Sequence, residues 1–238
     1  MSTRIARPLP TEIVYPDSDG EPMADNNLQY QWIVTITGNL ELIFLDDPDV
    51  FVVGNMLWYP IEGDNKTRIA PDTMVAFGRP KGYRGSYMQW IENGIAPQVV
   101  FEVLSPGNHG PEMARKRDAY ERFGVEEYYV YDPDDDILTG WLRRGDRLVA
   151  IPDTEGWVSP RLGIRFDTTT HPMTIYGPDG KRFLTMTELG LRAGQVDAAV
   201  EQRDAAIEQR DAAVEQRDAA VRERDLLLAK LRALGIEP

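Results

Sequence analysis

Glu102 and Asp72 are the two residues of this sequence best placed to do chemistry. Glu102 interrupts the apolar run Gln98–Leu104, and the two-residue period of a strand puts its side chain on the same face as Val100. Asp72 opens an upstream apolar run, directly after a proline that fixes the approach of the chain. A carboxylate carried into the core costs several kcal/mol unless it is paired or binds a metal. Metal or ion-pair chemistry is therefore expected at Glu102.

Lys116 is a third candidate because it lies on an apolar helical face. Met113, Lys116, Tyr120 and Phe123 follow one another at spacings of three or four residues, so they share one side of a helix. A cation on that side must extend to solvent or meet an anion, and the nearest anions by topology are carboxylates of the preceding strand. The alternative is a surface pair with Glu112, which would contribute little.

The two acids and a nearby serine also have simpler structural explanations. Asp72 is compatible with a turn-capping aspartate, because Pro-Asp is common in turns. Glu102 is compatible with a strand end that frays into solvent or with a pair to an arginine. Ser105, just after the strand, is expected to cap a turn or helix rather than act as a nucleophile, since no histidine is placed to activate it.

Composition narrows the chemistry further. The chain has no cysteine and only two histidines, His109 and His171, so a thiolate or His-rich metal site is excluded and any metal must bind carboxylates. The net charge of −13 argues against tight nonspecific DNA binding at low magnesium, although a local basic patch could still admit phosphate. No apolar run is long enough to span a bilayer or serve as a signal peptide. We expect a soluble cytoplasmic protein without a membrane partner.

The elements that must position these residues alternate between helix and strand. A helical pattern begins after Asp25 or Asn26, either of which could cap it. The near-continuous apolar character of Gln98–Leu104 predicts a central strand covered on both faces. Further strands are predicted from Val50, from Thr73, at Glu127–Asp132 and in a hairpin that turns at Gly145-Asp146, and a helix is predicted between Pro111 and Gly124. This order predicts an α/β fold with a mixed β-sheet.

The C-terminal segment contains a seven-residue repeat. EQRDAAI at 201–207 recurs as EQRDAAV at 208–214 and 215–221, and RERDLLL follows at 222–228. A continuous helix is expected. A coiled coil and a solvated single helix both stay open, because a frame with Ile207 at position d places aspartates at position a. We divide the chain into a domain at 1–190 and a heptad-repeat helix at 191–238.

Several of these motifs together resemble a known family. The stretches APD, VVFEVLSPGN and RKRDAYERFGVEEYYVYDP, from about Pro71 to Pro133, resemble the Uma-two family of endonucleases in the PD-(D/E)xK restriction-endonuclease-like superfamily. The resemblance implies a restriction-endonuclease-like core of mixed sheet and flanking helices. It also implies a Mg²⁺- or Mn²⁺-dependent endonuclease that acts on DNA.

The same resemblance assigns roles to individual residues. Asp72 and Glu102 would hold the metal ion together with the backbone carbonyl of Val103, and Lys116 would orient a water or stabilise developing charge. One departure is Leu104, which occupies the place of the superfamily's usual lysine, so Lys116 must substitute from the helix. A further upstream acid is not assigned among Glu12, Glu21 and Gln29.

Three functions are compatible with these observations. The first is a metal-dependent endonuclease with Asp72, Glu102 and Lys116 as its catalytic residues. The second is a non-catalytic DNA-binding or assembly module that keeps the nuclease fold, favoured by the negative charge and the missing lysine. The third is a carboxylate-based hydrolase of another substrate. A homo-oligomer, formed through the domain or the C-terminal helix, is compatible with each.

Overall fold

The computed structural model describes residues 13–18, 20, 22–107 and 110–233. These residues belong to two compact units, one ending at Met186 and one beginning at Thr187. The domain boundary placed after residue 190 stays a prediction. The elements are α1 (Asn27–Ile43), β1 (Val50–Gly54), β2 (Trp58–Tyr59), β3 (Thr73–Phe77), β4 (Tyr87–Met88), β5 (Val99–Val103), α2 (Gly110–Phe123), β6 (Glu127–Asp132), β7 (Ile137–Arg144), β8 (Arg147–Ala150), β9 (Arg165–Asp167), β10 (Thr174–Tyr176) and α3 (Met186–Ala233).

The main sheet has six strands in the order β1-β3-β5-β6-β7-β8. Only β5 and β6 run parallel, joined by α2, and the other neighbours are antiparallel. The mixed α/β fold predicted from the sequence is therefore confirmed. Strand β5 is central and every one of its residues is buried, as its continuous apolar pattern predicted.

Each face of the sheet is covered by a different helix. On one face α1 packs Ile33, Ile36 and Leu40 into a core with Val75 and Phe101. On the other face a second core joins residues of β3, β5 and β6 to Tyr120 of α2. Since successive side chains of a strand point to opposite faces, the parity of a residue decides which helix it meets.

The predicted helix ends agree with the structure. Asn26 caps α1, and its side chain accepts a hydrogen bond from the backbone N–H of Gln29 at 2.8 Å. Gly124 follows the last residue of α2 with a φ of +101°, a conformation that favours glycine at a helix end. The hairpin turns at Gly145-Asp146 as predicted, with Arg144 paired to Arg147.

One strand prediction was wrong in detail. The run from Val50 was predicted as a single strand, but it breaks at Asn55, whose φ of +50° lies in the left-handed region. The chain then re-enters as the short β2, which pairs with β4. Strands β4, β9 and β10 were not predicted, because two or three residues are too few to show a period.

The heptad repeats lie in α3, a continuous helix of 48 residues. The long C-terminal helix predicted from the sequence is thus confirmed. None of its described residues is buried. Across the described part of the chain, no helix combines the length and apolarity needed to cross a membrane.

Candidate active site

Strand register sets Asp72 beside Glu102. Strands β3 and β5 are antiparallel and pair Thr73 with Phe101, so the next residue along each direction is an acid. Directly opposed residues of an antiparallel pair lie on the same face of the sheet. The alternation along each strand places both acids on the face that α2 covers. The backbone N–H of Val103, the last residue of β5, donates to Asp72 Oδ2 at 2.7 Å. This bond fixes the aspartate at the C-terminal end of β5.

The two carboxyl groups are buried on neighbouring strands. Asp72 is 8% exposed and Glu102 is 3% exposed. Burial, and then the charge of Glu102, raise the pKa of Asp72 to about 8, although the Val103 N–H and Lys116 act in the opposite direction. Asp72 therefore carries a proton at neutral pH when no cation is bound.

Helix α2 brings two donors to Glu102. Lys116 Nζ donates to Glu102 Oε2 at 2.8 Å, and the hydroxyl of Tyr120 donates to Oε1. Burial lowers the pKa of Lys116, but the charge of Glu102 and its hydrogen bond outweigh burial and raise that pKa overall. The surface pair with Glu112 is therefore not the main partner of Lys116, and the structure brings Asp72, Glu102 and Lys116 to one place.

Tyr120→Phe should destabilise the protein, because it removes one of the two donors that satisfy the buried Glu102 carboxylate. Burial, followed by the charge of Glu102, raises the pKa of Tyr120 well above its usual value, so the hydroxyl keeps its proton and donates. We expect a loss of about 1–3 kcal/mol in the free energy of unfolding, measured by chemical denaturation.

Tyr128→Phe is the matched control for that experiment. The Tyr128 hydroxyl is buried and has no hydrogen-bond partner among the described residues. Its removal should be neutral or stabilising, since no bond is lost and an unsatisfied polar group is removed. Equal destabilisation by both substitutions would show that aromatic packing, rather than the bond to Glu102, accounts for the effect.

The carbonyl of Val103, predicted as a further metal ligand, already accepts one hydrogen bond. Gln29 Nε2 on α1 donates to it at 2.8 Å. Gln29 Oε1 in turn accepts from the backbone N–H of Asp25 at 2.8 Å. A carbonyl oxygen has two lone pairs, so Val103 keeps one for a cation. Its role as a ligand stays a prediction.

Of the three candidates for a further upstream site residue, the structure describes Gln29 alone. Glu12 and Glu21 lie outside the described residues, as does His109. Gln29 lies at the site, where its side-chain amide donates to the backbone carbonyl of β5. Sequence reasoning missed Asp25 as a site residue. Asp25 lines a cleft that also contains Asp72, and it accepts a 2.5 Å hydrogen bond from the hydroxyl of Ser105. Ser105 therefore donates to the segment that precedes α1.

A cleft of about 460 Å³ opens onto Asp72 and Lys116. Its walls come from three segments: the entry to α1, the loop before β3 and the exposed side of α2. Four lysines and arginines and three acids line it, whereas acids outnumber basic residues 39 to 26 in the whole chain. The site is therefore open to solvent in a locally less acidic environment.

The oxygen ligands of this site fit a hard divalent cation that takes few of its ligands from the protein. In the described ranges no group of three or more His, Asp or Glu side chains is arranged to hold a metal. Mg²⁺ commonly uses one or two carboxylates and takes its other ligands from water and phosphate. Asp72 and Glu102 would be those carboxylates, and a cation between them would offset both the burial and the Glu102 charge that keep Asp72 protonated.

Comparison with known families now identifies the chain. A family profile named Uma2 and described as "Putative restriction endonuclease" matches residues 12–169, more than half of the chain. The chain belongs to the Uma2 family. The matched segment contains Asp72, Glu102 and Lys116, so the resemblance recognised from the motifs is confirmed.

The other comparisons are less informative. No curated protein matches this chain. Among solved structures, one described as a "putative nuclease belonging to DUF820 from Anabaena variabilis" is similar at a TM-score of 0.43 and 11% identity. The similarity covers 57% of this chain and 72% of that one. At this level of similarity it carries no argument about the site.

Proposed function

We propose that this Uma2 protein is a Mg²⁺- or Mn²⁺-dependent endonuclease that hydrolyses phosphodiester bonds of DNA. The observation that carries the proposal is the meeting of Asp72, Glu102 and Lys116, from three different segments, beside an open cleft. Two acids buried side by side on neighbouring strands are unfavourable for folding, and such pairs are typical of functional sites. Membership of the Uma2 family supports a nucleic-acid substrate.

Each residue has a distinct task in this reaction. A divalent cation held by Asp72 and Glu102 would supply Lewis-acid stabilisation of the phosphate and a more acidic water. Asp72 must release its proton before it can serve as a ligand. Tyr120 and Lys116 fix the orientation of Glu102, each through one carboxylate oxygen. The ammonium of Lys116 also orients the attacking water or offsets charge developing on the phosphate.

Cleavage of supercoiled plasmid tests this function. The purified chain should convert plasmid to nicked or linear forms with Mg²⁺ or Mn²⁺, and addition of EDTA should stop the reaction. Full binding of DNA without any cleavage in either metal would favour the alternative of a non-catalytic module.

The cytoplasmic location inferred from the sequence stays a prediction that cell fractionation would test.

We further propose that α3 associates weakly with α3 of a second copy in a parallel coiled coil. Ile207, Val214 and Val221 recur every seven residues and are each 40–41% exposed. With these residues at d, Arg203 falls at g and Glu208 at e, which places opposite charges across a parallel seam. Among the described residues of the repeats, the ion pairs join neighbouring Arg and Asp side chains, which are exposed and contribute little.

Truncation after Gly194 should lower the apparent mass in sedimentation while leaving the melting temperature and any cleavage nearly unchanged. The aspartates at a make the seam poor, so association should be micromolar or weaker. In the full chain Val214→Lys should prevent pairing, and Ala212→Lys, on the opposite side of the helix, should not. The proposal would be contradicted by a truncated chain that fails to fold. It would also be contradicted if Val214→Lys and Ala212→Lys had the same apparent mass in sedimentation.

A further inference from the structure

Three cations of the cleft have no task in the chemistry described so far. Lys66, Arg68 and Arg115 line the cleft beside Asp72 and Lys116, and all three side chains are exposed. Within the described residues none of them forms a salt bridge, whereas most other arginines of the domain have an acidic partner. Cations that gather at one cleft without an acidic partner in the described ranges, in a chain with a net charge of −13, indicate a binding place for an anion.

The loop that carries Lys66 and Arg68 is held in place from both sides. Asp64 accepts from the backbone N–H groups of Lys66 and Thr67, at 2.8 and 3.1 Å, and from the Thr67 hydroxyl at 2.6 Å. Just beyond, Ile69 exchanges two backbone hydrogen bonds with Trp58. A fixed loop presents its cations with little loss of entropy on binding.

Arg115 lines the cleft from α2, a different segment from the loop that carries Lys66 and Arg68. It precedes Lys116 in the chain, and its side chain is exposed whereas that of Lys116 turns inward to Glu102. Cations from two separate segments therefore line the cleft together with Asp72. A polyanion that enters the cleft would be held by both segments beside the position where Asp72 and Glu102 act.

We propose that Lys66, Arg68 and Arg115 bind the phosphate backbone of a DNA strand next to the scissile bond. This inference rests on the proposed endonuclease function. The three residues hold the substrate without contacting the reacting atoms, so they are substrate-binding and not catalytic. Phosphate contacts carry no sequence information, and the cleft should therefore hold unrelated DNA sequences equally well.

The test is binding of full-length chain to labelled 30-base-pair duplexes with Ca²⁺ in place of Mg²⁺, over a range of salt concentrations. Replacing Lys66, Arg68 and Arg115 together with glutamine should weaken binding at least tenfold for two unrelated DNA sequences alike. The slope of log affinity against log salt should fall by about 2.7, since each phosphate contact contributes about 0.9. Thermal melts verify that the variant is folded.

Arg144→Gln is the matched control. Arg144 is exposed at the end of β7, outside the cleft, and has no salt-bridge partner among the described residues. Its loss should leave affinity and salt slope unchanged. The proposal is overturned if the triple variant keeps wild-type affinity and slope, if Arg144→Gln weakens binding as much, or if wild-type chain binds no DNA. Tighter binding to duplex RNA would overturn the assignment to DNA.

The outcome also separates this inference from the nuclease proposal. A wild-type chain that binds DNA through the three cations but never cleaves it would support the phosphate contacts and contradict the nuclease. A chain that cleaves DNA with metal, yet is unaffected by loss of the three cations, would contradict the phosphate contacts alone.

Discussion

Glu102→Gln should reduce metal-dependent DNA cleavage by about three orders of magnitude. The substitution removes the charge that a cation would bind while keeping the size of the side chain. It also leaves Lys116 without its anion, where the present ion pair spans 2.8 Å. Initial rates on supercoiled plasmid, with Mg²⁺ and with Mn²⁺, measure the effect.

A loss of stability should accompany this loss of activity. Sequence reasoning alone would expect removal of a buried charge to leave the fold intact or to stabilise it, but Glu102 accepts from both Lys116 and Tyr120 and is thus compensated. Breaking such a pair should cost about 1–3 kcal/mol, discounted because the Lys116 side chain is 23% exposed.

Glu127→Gln is the control for that experiment. Glu127 is another fully buried carboxylate, and it accepts from Tyr129, Ser159 and the backbone of Arg161, away from the cleft. Its replacement should lower stability and leave cleavage unchanged at temperatures where the variant is folded. Equal cleavage by wild type and Glu102→Gln would indicate a contaminant or a different active site.

The metal-free protein should lose stability as pH rises from about 4 to about 8, and Asp72→Asn should remove a large part of this dependence. The folded pKa of Asp72, about 8, lies above the ordinary value of 3.8. A raised pKa means that the folded state binds the proton more tightly, so its contribution is complete below the ordinary pKa and is lost as pH passes the folded one. The full effect is on the order of several kcal/mol.

Chemical denaturation with EDTA at pH 5, 7 and 9 measures this effect. Asp72→Asn should be more stable than wild type at pH 9, since asparagine can still accept from Val103 and carries no charge beside Glu102. Burial also raises the pKa of Glu127, so some dependence of the same sign should remain in the variant. Asp136→Asn is a suitable control, because hydrogen bonds outweigh burial and lower the pKa of Asp136. Parallel pH profiles for wild type and Asp72→Asn would contradict the account.

Much of the site could be predicted because it depends on local periods. The parity of Glu102 within its strand and the position of Lys116 on an apolar helical face each pointed to the space between β5 and α2. The same reasoning explains why the mixed sheet and the central strand were predicted correctly. Apolar periodicity records which face of an element is buried, and that information lies within a few residues.

What could not be predicted depends on contacts between distant segments. Asp25 meets Ser105 across 80 residues, and Gln29 reaches Val103 across 74. No local pattern encodes the register that joins them. Glu127 was missed as a buried acid for the same reason, because it opens a strand and its donors include residues 159 and 161 from a later loop.

Binding of Mn²⁺, followed by calorimetry, tests the central claim most directly. At pH 7 the wild-type chain should bind one ion and release nearly one proton from Asp72, detected by titration in buffers of different ionisation enthalpy. Proton release should fall towards zero at pH 9, and Asp72→Asn should bind Mn²⁺ far more weakly. A wild-type chain that binds no Mn²⁺, or an Asp72→Asn variant that binds it as tightly as wild type, would contradict the metal site.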